Sequence, residues 1–195
     1  MDFSSQIKNR KKSLKPTKTI LTNYLGEKFQ MQGETAEKLG EGFSFVVDDK
    51  PDLQVVKVAP GVFLSSQDPV FSLEILKEND IKSILSLGIE PDVKFPSISY
   101  SFVEILDIPE FRIADALVEC LKVIRNHRDE NILVHCNAGV SRSPTVVIAY
   151  LMREVNLSFQ EAFDKVKRAR PCVRPNEGFV KQLKELETKK GMRTL

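Results

Sequence analysis

The chain has 195 residues, 42% of them hydrophobic and 29% charged, with a net charge of +2, the profile of one globular domain carrying an extra segment. Its longest apolar run, Val146 to Met152, is seven residues, against the roughly 18 or more of a membrane span, and the near-neutral balance excludes a dedicated nucleic-acid binder. Cys120, Cys136 and Cys172 are odd in number and contain no C-x-x-C pair, which suggests neither a disulfide framework nor a zinc ribbon and points to a reducing setting, cytoplasmic or also nuclear.

The N-terminal stretch MDFSSQIKNRKK places charge where a secretory signal needs apolar residues, so no signal peptide is expected. Residues 1–40 hold eight basic and four acidic side chains, and Lys8, Arg10, Lys11, Lys12, Lys15 and Lys18 follow one another without an acid, with Pro16 interrupting any helix. Residues 1–20 are expected to be largely disordered and solvated, the alternative being docking on an acidic groove of a kinase or an anionic membrane. Residues 20–50 mix Ile20, Leu21, Tyr24, Leu25 and Phe29 with four glycines and show no steady period. The expected organisation is a basic, partly disordered segment over 1–50, a folded domain over 51–190 and a short tail over 191–195.

From about Asp52 strands alternate with helices, which predicts an α/β fold with a central, mostly parallel sheet flanked by helices. Residues 54–58 and 61–64 read as strands around the turn Pro60-Gly61. A helix is predicted to start at Asp68 as N-cap, with Pro69 at its first position, and to run through Leu73 and Leu76. Residues 81–87 and 100–106 read as strands, the second ending at Asp107-Ile108-Pro109. Asp115 then caps a helix whose Leu117, Cys120, Leu121 and Ile124 form one apolar stripe, and residues 132–135 form a short buried strand.

The next stretch, His135-Cys136-Asn137-Ala138-Gly139-Val140-Ser141-Arg142-Ser143-Pro144, is a strand end, a tight loop and a helix start. Successive backbone N–H groups in such a loop form an anion-binding nest, strengthened by the positive end of the helix dipole. Arg142 adds a planar fork that matches two phosphate oxygens, and the same positive environment favours the thiolate of Cys136. A thiolate beneath a bound phosphoryl group is a nucleophile for phosphorus, which implies a phosphocysteine intermediate.

His135 to Ser143 resembles the H-C-x-x-G-x-x-R-[ST] signature of protein tyrosine phosphatases, in the form used by dual-specificity phosphatases. Further resemblance lies in Gly61 to Asp68, in the helix Ala149-Tyr150-Leu151-Met152, in Ala169-Arg170-Pro171 and in Pro175 to Phe179, and it covers about residues 52–188. The resemblance implies a cofactor-free, metal-independent protein phosphatase. In it Cys136 is the nucleophile, Arg142 the phosphate clamp, and Ser143 the hydroxyl that steadies the departing thiolate. Asn137, Ala138, Gly139, Val140 and Ser141 form the rest of the phosphate-binding loop, with His135 in support. Asp107, 29 residues before Cys136, stands where the family places its general acid, with Glu104 and Glu110 as neighbouring alternatives. The chain has no Trp, so it lacks the Trp-Pro-Asp acid loop of tyrosine-specific enzymes. This implies a shallower pocket open to phosphotyrosine, phosphoserine and phosphothreonine. Where many relatives carry Asn after the strand 81–87 to brace the phosphate loop, this chain has Ser86. The implied substrate is a phosphoprotein, with a MAP kinase or its upstream kinase as the family-based expectation.

Other chemistries fit less well. A nucleotide-binding P-loop needs G-x-x-x-x-G-K-[ST], a hydrolase elbow needs G-x-S-x-G, and a metal site would have only His127 and His135. A phosphatase for phosphoinositide or RNA 5′-phosphate would want basic residues in the loop. A phosphoprotein-binding scaffold without turnover would lack Cys136 or Arg142. Cys120 and Cys172 are expected to be packing residues, with a protective disulfide to Cys136 as the alternative.

Overall fold

A computed structural model describes residues 19–22, 27–32, 35–41, 50–127 and 129–190, and the chain divides into two units, Met1–Lys50 and Pro51–Leu195. In the first, β1 (Thr19–Thr22), β2 (Glu27–Gln32) and β3 (Thr35–Glu41) form an antiparallel three-stranded sheet in the order β1-β2-β3, with a bulge at Lys28/Phe29. The sequence pattern of 20–50 shows no steady period and predicted no strands there. Alternation is confined to Lys28-Phe29-Gln30-Met31-Gln32, five residues whose weak signal the flanking glycines obscure. Except for Thr19 and Ile20, the expectation of disorder over 1–20 concerns residues outside those described, as does the tail 191–195.

The second unit is built on a five-stranded sheet of order β4-β5-β8-β6-β7: β4 (Val56–Ala59), β5 (Val62–Ser65), β6 (Ile81–Leu87), β7 (Ser99–Val103) and β8 (Asn131–His135). Strands β5, β8, β6 and β7 are parallel, and β4 joins the edge antiparallel through the tight turn at Gly61, whose φ of 71° suits glycine. The α/β expectation therefore holds. Alternate residues of the central strands serve two cores. Val62, Leu64, Leu85, Ile132 and Val134 face one, with Phe63, Ile84 and Leu133 facing the other. A bulge between Ile81 and Ser83 lets Ile81 and Ile84 share a face despite their odd spacing.

The larger core lies under α2 (Ala114–Asn126), α3 (Arg142–Glu154), α4 (Phe159–Ala169) and α5 (Glu177–Lys190), while the smaller is covered by a 3₁₀ turn (Asp68–Phe71) and α1 (Leu73–Glu78). The helix expected from Asp68 is thus two elements. Ser72, not Asp68, caps α1 by accepting the Ile75 N–H, and the Asp68 carboxylate instead accepts the Asp52 N–H at 2.8 Å. Asp115 lies inside α2, and Ile113 occupies the cap position with no side-chain cap bond. Strand β7 ends at Val103, so Asp107 sits on a loop rather than at a strand terminus. Helix α4 carries a complete capping box, Ser158 with Glu161, and its Phe159, Ala162 and Val166 are buried.

Candidate active site

The C-terminal ends of β5, β6 and β8 converge on one edge of the sheet, the location at which parallel α/β sheets place their sites, and seven buried polar side chains collect there: Ser65, Ser66, Ser86, His135, Ser141, Ser143 and Arg170. At the end of β8, Cys136 is 2% exposed. Its Sγ lies 3.2 Å from Oγ of Ser143, on the first turn of α3.

The loop between them is turned inside out by what holds its carbonyls. The Asn137 carbonyl accepts the Gln67 N–H at 2.9 Å, and the Val140 carbonyl accepts the Arg174 N–H at 2.7 Å. Arg170 donates to the Ala138 and Gly139 carbonyls, both at 3.0 Å. Among the described residues no peptide bond is cis, so each following N–H points opposite to the carbonyl tied down on the outside. Among the described residues, none of the N–H groups of residues 137–141 donates within the protein. Gly139 makes the sharp reversal at φ 65°, and a Cβ there would meet the Ser65 carbonyl oxygen at 2.5 Å.

Arg142 opens α3 with its guanidinium turned back over the loop: one terminal nitrogen donates to the Leu87 carbonyl at 3.1 Å. Gly88, at φ 67°, makes room, since a Cβ there would come within 2.5 Å of that nitrogen. The Arg142 Nε is buried without a hydrogen-bond partner among the described residues, 3.8 Å from Oδ2 of Asp107. Ser141 stands at the N-cap of α3 but gives its hydroxyl to Oδ1 of Asp107, at 2.7 Å, and not to the helix. An orphaned guanidinium nitrogen, inward N–H groups and the α3 dipole together form a cradle for a tetrahedral dianion.

His135 is 1% exposed. Its Nδ1 faces the Cys136 carbonyl at 3.3 Å and, since a carbonyl only accepts, carries the proton; Nε2 then accepts from Ser86 Oγ at 2.8 Å. Burial pushes the imidazole down to about 4, the Cys136 carbonyl opposes the shift, and the Arg142 charge adds to it. The ring is therefore neutral near pH 7, and Ser86 braces the loop through it. Every residue expected from sequence lies in this one cluster, Asp107 included. Glu104 and Glu110 are exposed on the same loop, and no hydrogen bond joins either to it among the described residues. Cys120 is buried, its thiol pushed up to about 12 by burial, whereas Cys172 is exposed, which corrects its expected packing role.

Four participants were not assigned roles from sequence: Arg170, Asp52, Asn176 and Gly88. Arg170 and Asn176 lie in segments already noted for their resemblance, but Arg170 reads as one more cation after Lys165, Lys167 and Arg168. Only the fold shows that it is 0% exposed.

Residues 62–189 match the catalytic domain of dual specificity phosphatases. The chain belongs to this family. The phosphatase is 38% identical over 160 residues to dual specificity protein phosphatase 19 of Mus musculus, covering 80% of this chain and 73% of the relative. It is 31% identical over 216 residues to a probable dual specificity protein phosphatase of Dictyostelium discoideum, covering 91% and 94%. Among solved structures, it resembles the human tyrosine phosphatase-like serine/threonine/tyrosine-interacting protein with a TM-score of 0.65 at 30% identity, over 70% of this chain and 97% of the other. A mouse putative dual specificity phosphatase complexed with zinc tungstate gives 0.68 at 29%, over 76% and 96%. The chain is a protein phosphatase of the dual-specificity class, and its substrates are phosphoproteins.

Proposed function

We propose that the phosphatase works through a phosphocysteine intermediate at Cys136 and acts on phosphotyrosine and phosphoserine or phosphothreonine in a MAP kinase or its upstream kinase. The observation that carries the mechanism is the Cys136 Sγ at the base of a loop whose N–H groups face inward, with Ser143 Oγ 3.2 Å away. In the first step Sγ attacks phosphorus, the P–O ester bond breaks, and Asp107 gives its proton to the leaving oxygen. In the second, Asp107 as carboxylate takes a proton from water, the water oxygen bonds to phosphorus, and the P–S bond breaks as Ser143 Oγ–H donates to the forming thiolate. Arg142 and the loop N–H groups hold the equatorial oxygens throughout. The kinase assignment rests on the family resemblance alone, and a place in the cytoplasm or nucleus rests on the three free cysteines.

The test is hydrolysis of paired phosphotyrosine and phosphothreonine peptides with EDTA present, by the reduced wild-type chain and by Cys136→Ser. Turnover of both peptides, lost in the variant while phosphopeptide binding persists, is the expected result. Binding without turnover by the reduced wild type would instead make the protein a phosphoprotein-binding module.

A further inference from the structure

We propose that Asn176 is a positioning residue for the acid–base step: with Ser141 it pins one oxygen of Asp107, so that the other carries the transferable proton. The inference rests on Asp107 being the general acid. Asn176 is the residue before α5, and its Oδ1 accepts the Phe179 N–H at 2.9 Å, an N-cap bond. That bond decides the amide orientation. Nδ2 must point the other way, and it donates to Oδ1 of Asp107 at 2.8 Å. The Asn176 backbone N–H in turn donates to Ser141 Oγ at 3.1 Å. With that donation received, the Ser141 hydroxyl directs its own proton to the same Asp107 Oδ1, at 2.7 Å.

Two donors with no freedom to reverse roles thus converge on Oδ1, which can only accept. Any proton on this carboxyl sits on Oδ2, the oxygen 3.8 Å from Arg142 Nε and so the one turned toward the phosphate cradle. Helix α5 also seats the acid loop by shape. Gly178 packs so closely that a Cβ would meet the Pro109 carbonyl oxygen at 2.0 Å. Gln182 holds the far end of the loop, accepting the Ile113 N–H at 3.0 Å and donating to the Phe111 carbonyl at 2.8 Å. The acid is therefore aimed by a helix some seventy residues away in sequence, not by its own loop alone.

The discriminating variant is Asn176→Ser. Serine retains an N-cap acceptor for α5 but is too short to reach Asp107, and thermal melting checks that the fold is kept. For phenyl phosphate, a poor leaving group, kcat is expected to fall about tenfold, short of the ~10²–10⁴-fold of a lost acid. For an activated aryl phosphate it should fall far less, with the affinity for tungstate, a phosphate stand-in, held. In Asp107→Ala the further change to Asn176→Ser should cost nothing more, because the amide acts only through the carboxyl. Equal losses on both phosphates, or a full additional loss in the double variant, would overturn the proposal. If Asp107→Ala itself shows no leaving-group dependence, it is the assignment of the acid that fails.

Discussion

Arg170→Ala removes a guanidinium that is 0% exposed and that ties two carbonyls of the phosphate loop from behind. Each hydrogen bond from a charged donor contributes about 1.5–3 kcal/mol, which sets an upper range near 3–6 kcal/mol for the pair. The ion pair with Asp52 adds little because that carboxylate is 44% exposed, and water entering the space left behind offsets part of the loss. A destabilisation of about 3–5 kcal/mol is expected, read as a lowered urea midpoint, with a drop in Tm of roughly 6–20 °C for a unit of this size. The same change frees the Ala138 and Gly139 peptide planes to rotate. Loss of one aligned N–H contact to a dianion, about 1.5–3 kcal/mol, weakens tungstate binding about ten- to a hundredfold by calorimetry. Arg170→Lys keeps the charge but cannot span both carbonyls, so it should fall between. Both variants lying within about 1 kcal/mol of wild type, with tungstate affinity unchanged, would refute the idea that this arginine shapes the loop.

Gly139→Ala places a Cβ 2.5 Å from a backbone oxygen at φ 65°; the left-handed conformation alone costs about 1–2 kcal/mol. Turnover should fall by about 10²-fold as the loop shifts, measured with an aryl phosphate. Asp107→Ala should slow phenyl phosphate hydrolysis by ~10²–10⁴-fold and an activated aryl phosphate much less, and equal losses would place the acid elsewhere. His135, held at about 4 against 6.5 by burial, makes the unfolded chain bind a proton that the folded chain refuses. Its contribution is fully present above pH ~6.5 and is lost as pH falls toward ~4, up to about 3 kcal/mol in all. Urea melts across this window should show a shallower pH slope for His135→Gln, and an unchanged slope would contradict a neutral buried ring.

The chemistry of the site was legible because it is local. Cys136, Gly139, Arg142 and Ser143 occupy one strand-loop-helix segment, and the backbone geometry of eight residues is enough to make a nest with a thiol at its base and a cationic fork at its rim. Resemblance put forward Asp107 with Glu104 and Glu110 as neighbours, and among the described residues it is Asp107 whose carboxylate accepts from Ser141 and Asn176. The parallel sheet was equally readable, since β5, β6 and β8 are short apolar runs buried on both faces. The helix start at Asp68 misled because a cap-like acid followed by proline also suits a 3₁₀ turn, and what Asp68 bonds is a backbone group 16 residues earlier. The sequence by itself thus determined the family and with it the reaction class, and it put forward the residues proposed to carry the reaction. Only the tertiary structure decided what surrounds them: Arg170 behind the loop, Gly88 beneath Arg142, Asn176 at Asp107, and the contact through His135 of Ser86, a position already singled out by resemblance. Each is an ordinary residue type whose role comes from contacts made across 31 to 69 positions of chain, and no local pattern encodes a contact that exists only once distant strands and helices have packed.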